Sequence, residues 1–448
     1  MQTIFRCDTI KQIYGPICPA SGESAYEPSH LKIPHRRNSR FAQLREAVFA
    51  VRYFQTKDGF FAAMENKRNI RLMYAIALLQ GMVFYGPIAT LYRQAAGVSV
   101  FQITLIESIS LALALALEVP WGILADRIGY RCSMILCCGL YFLSKIVFWQ
   151  ASGFGGFLAE RLMLSVVCAG LSGLDVSILY LSCPDEESHR VFSIYNNLGM
   201  AGLLAASAVY AVFVGENYRL AGLLTVFSYG AAAVLALFLR EVHPSQARTA
   251  SHQLADFAAL LGQLARSPRL LLLVLAAAFL NEAHQTITTF LNQVQYTQAG
   301  LSASAIAAVY VVMTLLGLCG GFSARLTGWL GERRTGALLL GLAAAACLAL
   351  ALTQGPLVSV AAILLLRVCH SLFTPLQTTL QNRQVTTGDR ATALSLNALL
   401  MDLVAVFTNL VFGRAADVFL PLAMGFGFVL CFAGLVLYLA QDRLTNSR

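Results

Sequence analysis

The sequence predicts an all-α polytopic membrane protein with twelve transmembrane helices in two pseudo-symmetric six-helix bundles. Hydrophobic residues make up 57% of the chain and charged residues only 12%, whereas about 25% of an ordinary soluble domain is charged. The mean hydropathy is +0.66. The apolar stretches run for roughly 18 to 26 residues, which is enough for a helix to cross ~30 Å of hydrocarbon. Because these stretches are unbroken, they exclude the alternating strands of a membrane β-barrel.

Residues 1–68 differ in composition from everything that follows. They contain four prolines, a basic cluster at His35, Arg36 and Arg37, and no apolar run of spanning length. This composition indicates neither a signal peptide nor a transmembrane segment, and we expect a largely disordered cytoplasmic extension. Met64 is also a natural start for such a protein, so the alternative that residues 1–63 do not belong to the native protein stays open.

Twelve apolar runs follow, and one long link divides them six and six. We expect a first bundle over 69–240, a cytoplasmic linker over 241–269, a second bundle over 270–440 and a cytoplasmic tail over 441–448. The predicted spans are 70–93, 99–122, 134–152, 156–181, 192–214, 219–239, 270–293, 303–325, 336–353, 357–380, 393–412 and 419–440.

The arginines predict the orientation of the spans. Links on one side and the C-terminal tail carry Arg127, Arg131, Arg190, Arg240, Arg248, Arg266, Arg269, Arg333, Arg334, Arg383, Arg390, Arg443 and Arg448, whereas the opposite links carry only Arg93, Arg219 and Arg414. Since basic links stay in the cytoplasm, both termini are expected there, in a multi-pass protein of the cell membrane. Orientation also accounts for the net charge of +9, so no nucleic-acid partner is expected.

A charged motif follows the second apolar run. Gly122, Asp126, Arg127, Gly129 and Arg131 are spaced as Gly, three residues, Asp, a basic residue, any residue, Gly and a further basic position. This spacing resembles the signature loop of the major facilitator superfamily, which joins the second and third helices on the cytoplasmic side. The resemblance implies twelve helices, secondary transport of a small-molecule solute, and a loop that controls the conformational cycle.

Two further segments carry the same resemblance. Asp175 lies in a segment similar to one at the inner part of the family's fourth helix, so we expect it to pair with Arg127 or Arg131 and to take part in gating. Arg161 and Ser165 in the fourth span correspond to Arg367 and Ser371 in the tenth, as two parallel repeats require. The family often associates an arginine at the position of Arg161 with proton coupling.

Ionisable residues inside the spans are the candidates for coupling, because each costs about 2.5–3.5 kcal/mol at a helix centre and rarely persists without a role or a partner. Desolvation favours the protonated form of a carboxylic acid and a nearby arginine opposes this, so the two effects together can allow proton exchange near neutral pH. Static ion pairing with the arginines is the alternative. The predicted coupling residues are Glu107, Arg161, Glu282, Arg367 and Asp402, and Glu282 or Asp402 is the predicted proton carrier.

In the superfamily that the motif resembles, the first helix lines the central cavity, so the resemblance implies an aromatic and amide-lined substrate cavity, as suits a moderately apolar organic solute. Its candidate residues are Gln80, Phe84, Tyr85, Tyr310 and His370. Lys145 is expected to extend toward the outer surface beside Trp149. For His284 and His370, a packing role and a proton relay both stay open.

Proton-coupled efflux is the predicted function. Uptake by proton symport, and a sensor or scaffold of the same fold that no longer transports, are the alternatives. The sequence has neither a phosphate-binding Gly-x-x-x-x-Gly-Lys-Ser/Thr loop nor a His-Glu-x-x-His helix, so neither an enzyme nor an ATP-driven pump is indicated. The eleven cysteines show no repeated ligand spacing, and we expect no metal and no cofactor. The expected partners are the solute, protons and the lipid bilayer, and the expected state is a monomer.

Overall fold

The computed structural model of the chain describes residues 67–184, 187–242, 268–384 and 390–446. The predicted N-terminal extension, apart from its last two residues, lies outside this range. So do most of the predicted linker, at 243–267, and the last two residues of the tail. The boundaries proposed for these segments therefore stay predictions.

The described residues form twelve long helices, which we number α1 to α12. Those of the first half are α1 Lys67–Ala95, α2 Val100–Ile128, α3 Tyr130–Gln150, α4 Phe154–Leu181, α5 Ser188–Val214 and α6 Tyr218–Ala236. Those of the second half are α7 Pro268–Gln298, α8 Ala303–Leu330, α9 Glu332–Leu352, α10 Pro356–Gln384, α11 Arg390–Val418 and α12 Leu420–Asn446. Within the described ranges, 11 helices are long and apolar enough to cross a membrane. The predicted fold class is confirmed.

Helix α2 continues through most of the charged motif, where the sequence predicted a turn. Asp126 and Arg127 are helical, and the helix ends only at Gly129, whose φ of +86° connects α2 directly to α3. A single residue can make this sharp connection because glycine adopts positive φ without the steric penalty of a Cβ atom. The charges of the motif therefore lie on the last turn of α2 and the first turn of α3.

The two halves repeat the same packing. In the first half α3 packs against α4 and α6, and in the second half α9 packs against α10 and α12. The halves meet mainly where α2 packs on α11 and where α5 packs on α8. This arrangement is the two-fold relation that the repeat in the sequence predicts.

Hydrogen bonds join the halves toward one end, which is the outer end in the predicted orientation. The Thr90 amide of α1 donates to the side chain of Gln293 of α7 at 2.7 Å, and the Ser99 hydroxyl donates to Asp417 at 2.6 Å. Near the inner end, the side chain of Arg131 binds a carbonyl of its own half, that of Leu237. The outer ends of the halves are therefore held together.

Several helices depart from regular α-geometry in their interiors. Helix α1 is interrupted at 82–85 and resumes with a 3-10 turn, Gly86–Ile88. Helix α7 contains a π-helical segment, Ile287–Leu291. At the first of these breaks the freed amide of Phe84 donates to the Thr225 hydroxyl of α6 at 3.0 Å, which satisfies a group that hydrocarbon would leave unpaired. Both breaks face the space between the halves.

Candidate functional site

A small cavity lies between the halves, directly beneath the bonds that join their outer ends. The volume open to a water molecule is about 20 Å³, which admits about one water and excludes an organic solute. Its wall comes from five helices and consists of Val83, Tyr85, Gly86, Ala89, Arg93, Tyr141, Lys145, Glu160, Arg161, Leu164, Tyr229, Thr289 and Phe290. The last two belong to the π-helical segment of α7, and all the others belong to the first half.

Glu107 of α2 and Arg161 of α4 form a buried two-point ion pair. The Nε of Arg161 donates to Oε2 of Glu107 at 2.8 Å, and its terminal nitrogen contacts Oε1. Glu107 is 4% exposed and Arg161 is 2% exposed. Each charged group therefore has the other, in place of water, as its hydrogen-bonding partner. Two residues predicted to take part in coupling are thus brought together. For Glu107, the geometry in this conformation is the static pairing that the sequence left as an alternative.

Lys145, Glu160 and Arg93 form a second buried cluster. The Nζ of Lys145 lies 3.5 Å from Glu160, and a terminal nitrogen of Arg93 lies 3.9 Å from the same carboxylate. The expectation that Lys145 extends to the outer surface is wrong, since it is 4% exposed. The placement of Arg93 in an outer link is also wrong, because α1 continues to Ala95 and carries Arg93 inward to a 5% exposed position.

Aromatic rings surround both cations of this cluster. The Lys145 ammonium lies 5.7, 5.0 and 5.2 Å from the ring centres of Tyr85, Tyr141 and Tyr229, and it donates to the Tyr85 hydroxyl at 3.0 Å. The ring faces attract a cation and so partly replace its lost hydration. Tyr85 was predicted to line the cavity. Tyr141 was not, although its spacing of four residues from Lys145 on α3 could have indicated it, and no pattern in the sequence indicates Tyr229.

The second half has its own polar cluster, which contains three predicted residues. The rings of His284 and His370 stack with centres 3.9 Å apart and planes 2° from parallel. Arg367 lies 3.3 Å from Nε2 of His284, and Asn281 lies 3.1 Å from Nε2 of His370. The side chain of Asn281 also donates to Glu282 at 2.9 Å. The structure therefore links Glu282, His370 and Arg367 through two residues, Asn281 and His284.

These contacts fix the protons on the stacked rings. Arginine has no acceptor, so Arg367 donates and Nε2 of His284 accepts, which places the proton of a neutral His284 on Nδ1. The amide oxygen of Asn281 accepts from Nε2 of His370, provided that its nitrogen donates to Glu282 as described. Two positive rings in face-to-face contact repel each other, so the stacked contact favours a state in which at least one ring is neutral.

Three other residues predicted for the cavity, and Asp402, which was predicted for coupling, lie in different surroundings. The side chain of Gln80 donates to Sγ of Cys138 in α3 at 3.4 Å, and Phe84 is buried in the first half. Tyr310 is buried in α8, and Asp402 is partly buried in α11. Of the five cavity candidates, only Tyr85 lines the closed cavity in this conformation.

The charged motif at the inner end is bound to the end of α6. The amide of Arg131 donates to the carboxylate of Glu241 at 3.2 Å, and its guanidinium donates to the Leu237 carbonyl at 3.2 Å. Asp175 accepts from the Tyr195 hydroxyl at 3.1 Å and from the Val176 amide at 2.8 Å. The expected pairing of Asp175 with Arg127 or Arg131 stays a prediction. The placement of the side chain of Asp126 and the surroundings of Gly122 lie outside the described residues.

Neither cluster has the composition of a metal centre. Across the described ranges, no group of three or more His, Cys, Asp or Glu residues could hold a metal ion. The Lys145 cluster and the second-half cluster both hold charged and hydrogen-bonding groups, and the Lys145 cluster lines the closed cavity. Buried charged groups of this kind can bind a polar solute.

Comparison with known proteins identifies the fold. The family model of the Major Facilitator Superfamily matches residues 72–408. No curated protein matches the chain in sequence. Among solved structures, a bacterial homolog of the human lysosomal transporter Spinster, in an inward-facing and unoccupied conformation, aligns with a TM-score of 0.66 and 18% identity over 85% of this chain and 97% of that one.

Two more solved structures share this fold. The nucleoside transporter NupG aligns with a TM-score of 0.67 and 14% identity over 84% of this chain and 99% of that one. A D-xylose-proton symporter aligns with a TM-score of 0.66 and 14% identity over 84% of this chain and 97% of that one. At such identities the likeness is one of fold.

Proposed function

Because this chain belongs to the major facilitator superfamily of secondary transporters, we propose that it carries a small organic solute across the cell membrane by alternating access and couples the movement to protons. The observation that carries this proposal is the closed cavity between the halves, which is lined by buried charges beneath the joined outer ends. Separation of the halves at the inner end would open this space toward the cytoplasm. Efflux is the direction proposed first, by a monomer with both termini in the cytoplasm.

We propose Glu282 as the proton carrier in preference to Glu107. Protonation of Glu107 would remove the ion pair of a buried arginine, Arg161, and breaking such a pair costs about 3–5 kcal/mol. Glu282 is 2% exposed and accepts a hydrogen bond from the neutral amide of Asn281. Through Asn281 it is linked to the ring of His370. Asp402 stays the other candidate, on α11.

Transport by purified protein in proteoliposomes tests this assignment. A ligand-stabilisation screen first identifies a solute, and its flux is then measured with and without an imposed pH gradient. We expect Glu282→Gln to exchange solute at the normal rate but to lose gradient-driven accumulation, and the same measurement on Asp402→Asn tests the second candidate. Glu332→Gln is the matched control, because this carboxylate binds Arg383 at the inner surface. If both Glu282→Gln and Asp402→Asn still accumulate solute, neither residue carries the proton.

The same experiment separates the alternative functions. Uptake by symport would show solute and proton moving in the same direction, whereas coupled efflux by exchange would show them moving in opposite directions. A sensor or scaffold would bind a ligand in the screen and show no flux under either gradient. That last result would overturn the proposal of transport.

A further inference from the structure

We propose that the transported solute is a small organic anion with a flat ring, and that its anionic group binds between Arg93 and Lys145. This inference rests on the proposed function and names the chemical class of its substrate. The argument uses the charge balance of the cavity, the unused hydrogen-bonding capacity of the charged groups, and the aromatic surfaces around them.

The buried charges at the cavity do not balance. Glu107 and Arg161 neutralise each other in a two-point pair. The remaining groups are two cations, Arg93 and Lys145, which share the single carboxylate of Glu160. One positive charge therefore remains in excess, in a place shielded from water. An anion entering this space would be attracted, whereas a cationic solute would be repelled at close range.

The groups of this cluster also leave hydrogen-bonding positions unused. Neither carboxylate oxygen of Glu160 has a hydrogen-bond partner among the described residues, and its two ion pairs span 3.5 and 3.9 Å. The Nε of Arg93 is likewise buried without a partner in the described part of the chain. Normal charge-assisted hydrogen bonds measure about 2.7–2.9 Å, so the cluster is too loose to satisfy itself. A carboxylate or similar group between Arg93 and Lys145 would supply the acceptor that the Nε of Arg93 lacks, and it would compete with Glu160 for both cations.

Aromatic side chains define the rest of the space. Tyr85, Tyr141 and Tyr229 surround Lys145 on the first half, and Phe290 faces them from the π-helical segment of α7. When the halves separate, Phe290 moves away with α7 and the three tyrosines stay with Lys145. A slot that is aromatic on both sides fits a flat ring, which stacks or packs edge to face against such surfaces.

Substitutions of Glu160 and Arg93 test the proposal, because they are expected to change anion affinity in opposite directions. An anionic ligand competes with this carboxylate for the same two cations, so Glu160→Gln removes the competitor and is expected to increase anion affinity several-fold. Arg93→Gln removes a charged donor and is expected to weaken anion binding by roughly tenfold or more. A role in folding alone predicts that both variants lose stability, with no opposite effects on binding.

The probes are matched triads of ring compounds that carry a carboxylate, a carboxamide or an ammonium group, such as benzoate, benzamide and benzylammonium. Binding to the purified full-length protein is followed by the shift in unfolding temperature, since a ligand that binds only the folded state raises it. We expect the carboxylates alone to stabilise the protein. Arg93→Lys keeps the charge and is expected to keep this preference, and Arg219→Gln controls for charge at an exposed site away from the cavity.

The outcomes separate this inference from the proposed function. Stabilisation by the neutral or cationic members of the triads, or by none of the carboxylates, overturns the inference, as does a Glu160→Gln variant that binds carboxylates more weakly. Transport of a neutral solute would leave the proposed function standing and reject the anion. Carboxylate binding that follows the predicted order without any flux would support the site and reject transport.

Discussion

Gly413 provides the sharpest test of how the outer end closes. It lies on α11 against α2, and an added Cβ atom would overlap the Thr104 hydroxyl and come within 3.0 Å of the Phe101 Cα. Because the Phe101 Cα belongs to the backbone of α2, the contact can be relieved only if α2 or α11 moves. Gly413→Ala should therefore disfavour the conformation with joined outer ends, and it should leave a state in which α2 and α11 are apart unaffected.

The size of the effect follows from the overlap. Overpacking a close contact costs typically about 1–3 kcal/mol, and each 1.4 kcal/mol changes an equilibrium tenfold. The population of the closed state relative to an outward-open state should thus fall by roughly 5- to 150-fold. Gly425→Ala on α12 is the matched control, because nothing lies within 4 Å of a Cβ atom there. It introduces the same change in helix propensity without the overlap.

Hydrogen exchange of the segment Ala89–Ala95 measures the closed state directly. The amides of Thr90 and Leu91 lie in the first turn of that helical segment, and both donate to the side chain of Gln293 across the interface between the halves. First-turn amides have no partner within their own helix, so their protection depends on closure. We expect exchange to accelerate in Gly413→Ala and not in Gly425→Ala. Equal exchange in wild type and Gly413→Ala would refute this account of the outer contact.

Three further changes test the remaining contacts. Asp126→Asn should slow solute exchange in proteoliposomes and leave equilibrium affinity nearly intact, because the motif lies far from the cavity; a large loss of affinity at unchanged exchange rates would contradict this. Glu107→Gln should lower the free energy of unfolding by about 3–5 kcal/mol, since it breaks a buried pair. In thermal unfolding, the double variant that also carries Arg161→Met should recover part of that loss. If Glu107→Gln alone is as stable as wild type, the ion pair contributes little to stability. Gly129→Ala should destabilise the link between α2 and α3, because φ is +86° at this position and alanine adopts such an angle only with strain. We expect faster proteolysis at that link in Gly129→Ala and no change in the control variant Gly139→Ala.

The sequence by itself determined the number and the order of the helices, whereas α2, α7 and α11 end five or six residues beyond the predicted positions. Hydrocarbon admits no unpaired backbone, so any run apolar enough to enter it must be helical over its whole thickness. That constraint acts on each span separately, and the ends of α4 and α6 lie within three residues of their predicted positions. The longer helices continue past the apolar run, where the constraint no longer acts. The correspondence of Arg161 in the first repeat with Arg367 in the second also followed from the local sequence.

Only the tertiary structure decided which charges meet. Glu107 and Arg161 are separated by 54 positions along the chain, and nothing in either segment names the other as its partner. Arg93 was counted with the outer links because the first predicted span ends at it, yet α1 extends past it and Glu160 of α4 lies opposite. The burial of a residue near the end of a span depends on the neighbouring helices that cover it. The aromatic surroundings of Lys145 have the same origin, since Tyr85, Tyr141 and Tyr229 come from three helices that only the packed bundle brings together.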